Sequence, residues 1–212
     1  MPETRIEIEA EDGCVDALAA WPDGVGRRPP VVLLDGGPTA GLDVRRFARR
    51  LAARGYFVLA PEWRTRPAAE RRADAEAWLD YLAYERRADD TRVGVAGWGA
   101  GADLALKTAA WRAERIAAVA AFHGRGFGAG AAVDVAQRLN ALVHLGYFAG
   151  AAPGRGMAAL EAALCAADAV FEVETYARGD EPTMRAKLLD LFDRTLTTQP
   201  PELGMAALAA PR

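Results

Sequence analysis

The chain has 212 residues, 51% hydrophobic and 26% charged, with a formal net charge of −3: enough apolar material for one globular core, and no electrostatic reason to bind nucleic acid or an anionic membrane. It contains no serine, two histidines (His123 and His144) and two cysteines (Cys14 and Cys165). A serine nucleophile is therefore excluded, and a four-ligand Cys/His zinc site would consume every Cys and His present, so no metal or other cofactor is expected. The first residues, Met-Pro-Glu-Thr-Arg-Ile-Glu, have no apolar leader core, and no apolar run approaches the roughly 18 residues of a membrane span. The expectation is a cytoplasmic protein, monomeric or homodimeric, with two unpaired thiols and a small molecule as its partner.

In chain order, Ile6, Ile8 and Ala10 alternate with polar residues, Glu11-Asp12-Gly13 follows, and Val15, Ala17 and Ala19 alternate again, which predicts an antiparallel hairpin with an Asp-Gly turn. From residue 30 onward, short and mostly apolar runs alternate with amphipathic stretches. The runs cover residues 31–34, 56–60, 93–96, 116–122, 141–145 and 170–176, and their continuity suits parallel strands buried on both faces. Helices are predicted over residues 43–54, 75–84, 100–113, 157–167 and 183–196, the first ended by Gly55 as a C-cap. Strand alternating with helix predicts an α/β fold with a doubly wound, mostly parallel sheet preceded by the antiparallel hairpin, and places ligands beyond the carboxyl ends of the strands. No repeat or linker divides the chain, so one domain is expected over residues 1–197, followed by a loosely held, proline-bearing tail over 198–212.

After the strand that starts at Val93 comes Gly97-Trp98-Gly99-Ala100-Gly101-Ala102, leading directly into a helix. A strand, a sharp glycine-flanked turn and a helix form the setting of a nucleophile elbow, G-x-Nuc-x-G; the same glycines also come close to the dinucleotide-binding pattern G-x-G-x-x-G, against which the bulky Trp98 and the late position in the sheet both speak. The surrounding stretches decide the frame: Pro30-Val31-Val32-Leu33-Leu34-Asp35, Leu51 through Pro61, Trp78-Leu79-Asp80-Tyr81-Leu82, Asp90 through Trp98, and His144-Leu145-Gly146. On these motifs the chain resembles the dienelactone hydrolase family from Ile6 to about Leu196. The resemblance implies a single-domain α/β-hydrolase fold and a Cys-His-Asp triad. This sequence departs from that triad: Gly99 stands at the nucleophile position, Ala149 at the aspartate position, and Asp180-Glu181 in the stretch where the family has histidine. Glycine is also the relaxed choice there, because an elbow holds a non-glycine residue at a cost of about 1–3 kcal/mol.

Backbone amides survive side-chain exchange. An amide of Ala100 and one of Gly36 or Gly37 could still converge on an oxygen, a donor of this kind contributing roughly 3–4 kcal/mol to a developing oxyanion. Asp35 stands where the resemblance puts a glutamate beside the thiol; it is either a proton-moving carboxylate or a loop aspartate capping the amides of Gly36 and Gly37. His123, at a strand end, is a candidate proton carrier or pocket wall. His144 is either a packed strand histidine or a rim residue. Arg64 either pairs with a substrate carboxylate, as the resemblance implies, or is one solvated arginine among Arg66, Arg71 and Arg72. Trp63, Trp98 and Tyr147 are expected to shape an apolar pocket. The functional expectation is a non-hydrolytic catalyst, such as a cyclase, isomerase or lyase, acting on a carbonyl-bearing and polyketide-like metabolite. The alternatives are an inactive pseudo-hydrolase that binds a ligand or partner, and a hydrolase whose water-activating groups have moved.

Overall fold

In the computed structural model, which describes residues 1–36, 43–149, 154–177 and 179–197, the chain runs β1 (Glu3–Ala10), β2 (Gly13–Ala20), β3 (Pro30–Leu34), α1 (Val44–Ala53), β4 (Phe57–Pro61), α2 (Arg71–Tyr84), β5 (Val93–Trp98), α3 (Ala100–Trp111), β6 (Ile116–Phe122), α4 (Ala129–Arg138), β7 (Leu142–Phe148), α5 (Arg155–Ala166), β8 (Phe171–Tyr176) and α6 (Glu181–Phe192). The strands form one eight-stranded sheet in the order β1-β2-β4-β3-β5-β6-β7-β8. The β1–β2 and β2–β4 pairs are antiparallel and all the others parallel. This is the α/β architecture expected from the alternating pattern, and it is one domain.

Burial explains why the apolar runs become strands. Every residue of β3, β4 and β5 is buried, because helices cover both faces of the sheet's centre. Val32, Leu34 and Val95 point to one face, where they pack with Trp78 and Leu82 of α2, Leu104 of α3, Val135 of α4 and Leu160 of α5. Val31, Leu33 and Ala96 point to the other, beneath Phe47 and Leu51 of α1 and Leu188 and Leu191 of α6. Helix α1 starts where Asp43 accepts a hydrogen bond from the Arg46 amide at 2.9 Å, and stops at Gly55, whose φ of 102° suits glycine.

Some details differ from the sequence expectation. The hairpin turn lies one residue earlier: Glu11 and Asp12 form it, and Gly13 (φ 121°) already pairs with Ala10. Helix α4 has no counterpart in the sequence reading, because Gly124, Gly126, Gly128 and Gly130 mask its start and only Ala132, Val135 and Ala136 reach the core. Helix α2 begins earlier than expected, at Arg71. The last helix also begins earlier, capped by Asp180, and widens into a π-turn over Asp193–Thr197. The expected tail and Gly37 lie outside the described residues. No helix among the described residues is long and apolar enough to cross a membrane.

Arg66 ties the hairpin to the body. Its guanidinium donates to the fully buried Asp74 of α2 at 3.1 Å, pairs with Glu70 at 3.0 Å, and reaches the Asp12 carbonyl at the hairpin turn. It is a structural clamp and not the solvated arginine of the sequence reading.

Candidate functional site at the carboxyl edge of the sheet

Three strand ends are stitched together by main-chain hydrogen bonds. The Gly99 amide donates to the Phe122 carbonyl (2.8 Å), the His123 amide to Gly146 (2.8 Å), and the Ala149 amide to Tyr176 (2.6 Å). The positions after β5, β6 and β7 are thus fixed relative to one another by backbone alone.

Gly99 links β5 to α3 with φ 55° and ψ −118°, a conformation that costs a side-chain-bearing residue energy. The three glycines of this turn are there for different reasons. A Cβ on Gly97 would lie 2.1 Å from the Gly101 carbonyl oxygen, and one on Gly101 would lie 2.2 Å from that of Leu34, so both positions are closed by backbone. A Cβ on Gly99 would meet nothing nearer than the Gly36 Cα at 3.7 Å, which is ordinary contact. Only conformation, and not space, favours glycine at 99. The amide of Ala100 opens α3, where first-turn amides lack intrahelical acceptors and the helix dipole is positive.

Beside this turn lies a pocket of about 70 Å³ walled by Trp98, His123, Phe148, Tyr176, Met184, Ala177 and Gly179–Glu181. Trp98 is 2% exposed, stacked on Phe122 at 5.3 Å and edge-on to Phe47 at 5.5 Å. His123 holds a positive φ of 55°, uncommon for a non-glycine residue, and its ring stacks on Phe148 at 3.4 Å between centroids. Burial without a compensating charge pushes the His123 imidazole down to about 4, so it is neutral at physiological pH. The loop that follows His123 is held to α3 by Asp103, which accepts the Gly126 amide at 2.9 Å and whose own carboxyl burial pushes up. Asp180 and Glu181 are both engaged: Asp180 accepts the Thr183 amide at the start of α6, and Glu181 pairs with Arg185 at 3.0 Å.

A second, larger cleft of about 560 Å³ lies between the β1–β2 hairpin, the ends of β3 and β4, and the start of α1. Asp35 and Arg64 share its wall, 4.0 Å apart and both partly exposed, a pairing worth little in water. Arg5 pairs with Glu62 at 3.6 Å. Glu3 accepts hydrogen bonds from Arg45 and Arg49, and these two guanidinium groups hold its carboxyl down at about 2.

The residues singled out by sequence therefore separate. Gly36, Gly99 and Ala100 meet at the turn, Trp98 and His123 wall the small pocket, and Asp35 and Arg64 face the cleft. Trp63, His144 and Tyr147, expected to line a ligand pocket, are packed in the interior instead. Trp63 lies under the Arg71 guanidinium on the sheet face opposite Trp98. Tyr147, on that same face, donates its hydroxyl to Glu161 of α5 at 2.5 Å. His144 is 1% exposed in the middle of β7, with Nε2 2.8 Å from the Tyr176 hydroxyl. That hydroxyl gives its one proton to Glu174, so it accepts from His144. Burial lowers the His144 pKa. Phe148, Tyr176 and Met184 were missed as pocket walls; for Phe148 and Tyr176 the available signal was their position at strand ends.

Residues 63–180 match the family model described as the dienelactone hydrolase family. A relative from Methylorubrum extorquens designated carboxymethylenebutenolidase is 28% identical over 184 residues, covering 74% of this chain; the chain spans 62% of that relative's length. Among solved structures, a protein from Klebsiella pneumoniae subsp. pneumoniae designated dienelactone hydrolase superposes with a TM-score of 0.78 at 22% identity, covering 91% of this chain and 98% of that one. A dienelactone hydrolase-like promiscuous phosphotriesterase from metagenomic libraries gives 0.69 at 22% identity, covering 84% of this chain and 82% of that one. The two solved structures share the fold.

Proposed function

The chain belongs to the dienelactone hydrolase family, and we propose that it acts on a carbonyl-bearing small molecule without forming a covalent enzyme intermediate, as a cyclase, isomerase or lyase. The observation that carries this reading is Gly99: an elbow backbone with φ 55° and no side chain, in a chain that has no serine and whose two cysteines lie exposed on β2 and α5. No nucleophile stands at the turn, so the chemistry left to it is non-covalent. The ligand's carbonyl oxygen lies between the Ala100 amide and Gly36, where helix polarity and the first-turn amides of α3 stabilise an enolate. Asp35, the residue before Gly36, moves the proton. His123, neutral and of low basicity, is suited to hydrogen-bonding an oxygen and not to abstracting a proton at neutral pH.

That low basicity also favours a second reading, in which the same edge binds a carbonyl compound and performs no reaction. Deuterium exchange of enolisable ketones and lactones in heavy water, followed by NMR together with an ester and lactone hydrolysis panel, separates the readings. The expected result is exchange or rearrangement that falls at least about 10-fold in Asp35→Asn, with no hydrolysis by the wild type or by Gly99→Cys, since His123 beside the turn is too weakly basic to activate a thiol. Hydrolysis abolished by Asp35→Asn would overturn the proposal. Ligand-induced thermal stabilisation with no exchange would favour the binding reading.

A further inference from the structure

Strand β1 ends the sheet on one side and pairs with β2 alone, residue for residue from Glu3 to Ala10 with no bulge and no proline. The main-chain groups along its outer side meet no strand among the described residues. Such a side is open to a further strand, and proteins guard it with charge. Here the free charge has one sign. Glu7 and Glu9 stand exposed on β1, Glu11 opens the hairpin turn, and Glu7 lies directly across the ladder from Asp16 of β2. These four carboxylates make no hydrogen bond or ion pair among the described residues. Like charges directly opposed across a ladder are unfavourable, so the Glu7–Asp16 pair is an arrangement that an added cation relieves.

Alternation along the strand says what else a neighbour would meet. Ile6, Ile8 and Ala10 pack on the α2 face, so Glu7 and Glu9 point from the other. Between β1 and α2 runs an open groove of about 560 Å³, with Ala10, Ala73, Ala77, Tyr81 and Tyr84 in its lining. Tyr84 is 88% exposed. Glu76 and Asp80 line the groove too, but Arg72 answers the first, and Arg112 and Arg115 the second. The unanswered charge is therefore that of the hairpin. A strand laid beside β1 would set one row of side chains across from Glu7 and Glu9, and the alternate row over the small and aromatic residues of the groove. A second copy fits poorly, since it brings the same carboxylates and its one β1 cation, Arg5, already pairs with Glu62.

We propose that the outer side of β1 is a docking site for an extended segment of another protein, one in which lysine or arginine alternates with uncharged residues. Main-chain pairing would supply affinity, and the row of carboxylates would select the cationic partner.

The test reads peptide binding, so its failure leaves the proposed activity untouched. A fluorescein-labelled, end-capped octapeptide of alternating lysine and valine is titrated with the full chain at low salt and followed by fluorescence anisotropy. Saturable binding is expected, and glutamate in place of lysine should abolish it. Glu7→Gln combined with Glu9→Gln should weaken binding about 5-fold; both positions are exposed and unpaired, so the fold does not depend on them. Strand pairing is read with two further peptides, N-methylated at every lysine or at every valine, because alternate amides of a strand point to opposite sides. One is expected to keep its affinity and the other to lose at least about 10-fold. Absence of saturable binding up to about 500 μM protein would overturn the proposal. So would the two methylated peptides binding alike, or an unchanged affinity in the double variant. Sedimentation of the protein alone covers the remaining occupant: a dimer that the lysine peptide disperses gives the site to a second copy and overturns the proposal.

Discussion

The carboxyl edge and the hairpin cleft are both concave, yet they are built on opposite principles. In the cleft, charges are matched: Glu3 with Arg45 and Arg49, Arg5 with Glu62, Asp35 with Arg64. At the edge, geometry is fixed by main-chain hydrogen bonds and close glycine contacts, while Trp98 Nε1 and His123 Nε2 have no hydrogen-bond partner among the described residues. Both lie beyond the carboxyl end of β3, where Asp35 faces the cleft and Gly36 meets the turn.

The sharpest way to break this contrast is at the turn itself. Gly101→Ala drives a Cβ into the Leu34 carbonyl and is expected to cost about 3 kcal/mol or more, whereas Gly99→Ala, which suffers conformation only, should cost about 1–3 kcal/mol. Urea denaturation of the two variants checks the order, and equal losses would mean that the edge is not held by backbone contact.

On the hairpin side, Arg66→Ala leaves the fully buried Asp74 without its partner and should cost about 3 kcal/mol. Arg66→Met combined with Asp74→Leu should recover most of that loss by replacing the pair with apolar packing. A double-mutant cycle by thermal and urea unfolding reads the coupling, and additive losses would show that the clamp is not a pair.

Acid should separate the two regions by window. The folded-state pKa of His123, about 4, lies below its unfolded value near 6.5, so the unfolded chain takes up the proton first. Stability is fully present above pH 6.5 and falls as pH drops toward 4, by on the order of 1–2 kcal/mol once solvent screening is discounted. Glu3, held at about 2 by its two arginines, contributes above its ordinary carboxylate range, and that contribution fades only as pH falls from about 4.5 to about 2. Melting temperatures measured from pH 8 to 2 on His123→Asn and Glu3→Gln should each flatten a different limb of the profile.

Much of the fold was legible because burial on both faces leaves an unbroken apolar run: residues 116–122 were read as a strand and are one, and residues 93–96 form most of β5. Helix α4 was not, since its run of glycines gives no helical period and its buried residues are mostly alanine. At the site, Gly97, Gly99 and Gly101 announced a turn, but a sequence does not say which glycine is required by contact and which by conformation. Trp63 and Trp98 looked alike as aromatic residues near strand ends; strand parity and the twist of the chain sent them to opposite faces. The low basicity of His123 was invisible because it comes from burial, which the tertiary packing around the ring decides.

The stitched strand ends have a consequence for redesign. Because the Gly99, His123 and Ala149 positions are held by amides that every residue except proline possesses, a side chain can be exchanged there without cutting the stitching. What an exchange costs is set by conformation, at Gly99 and His123 where φ is positive, so Ala149 is the position where a new group is installed most cheaply.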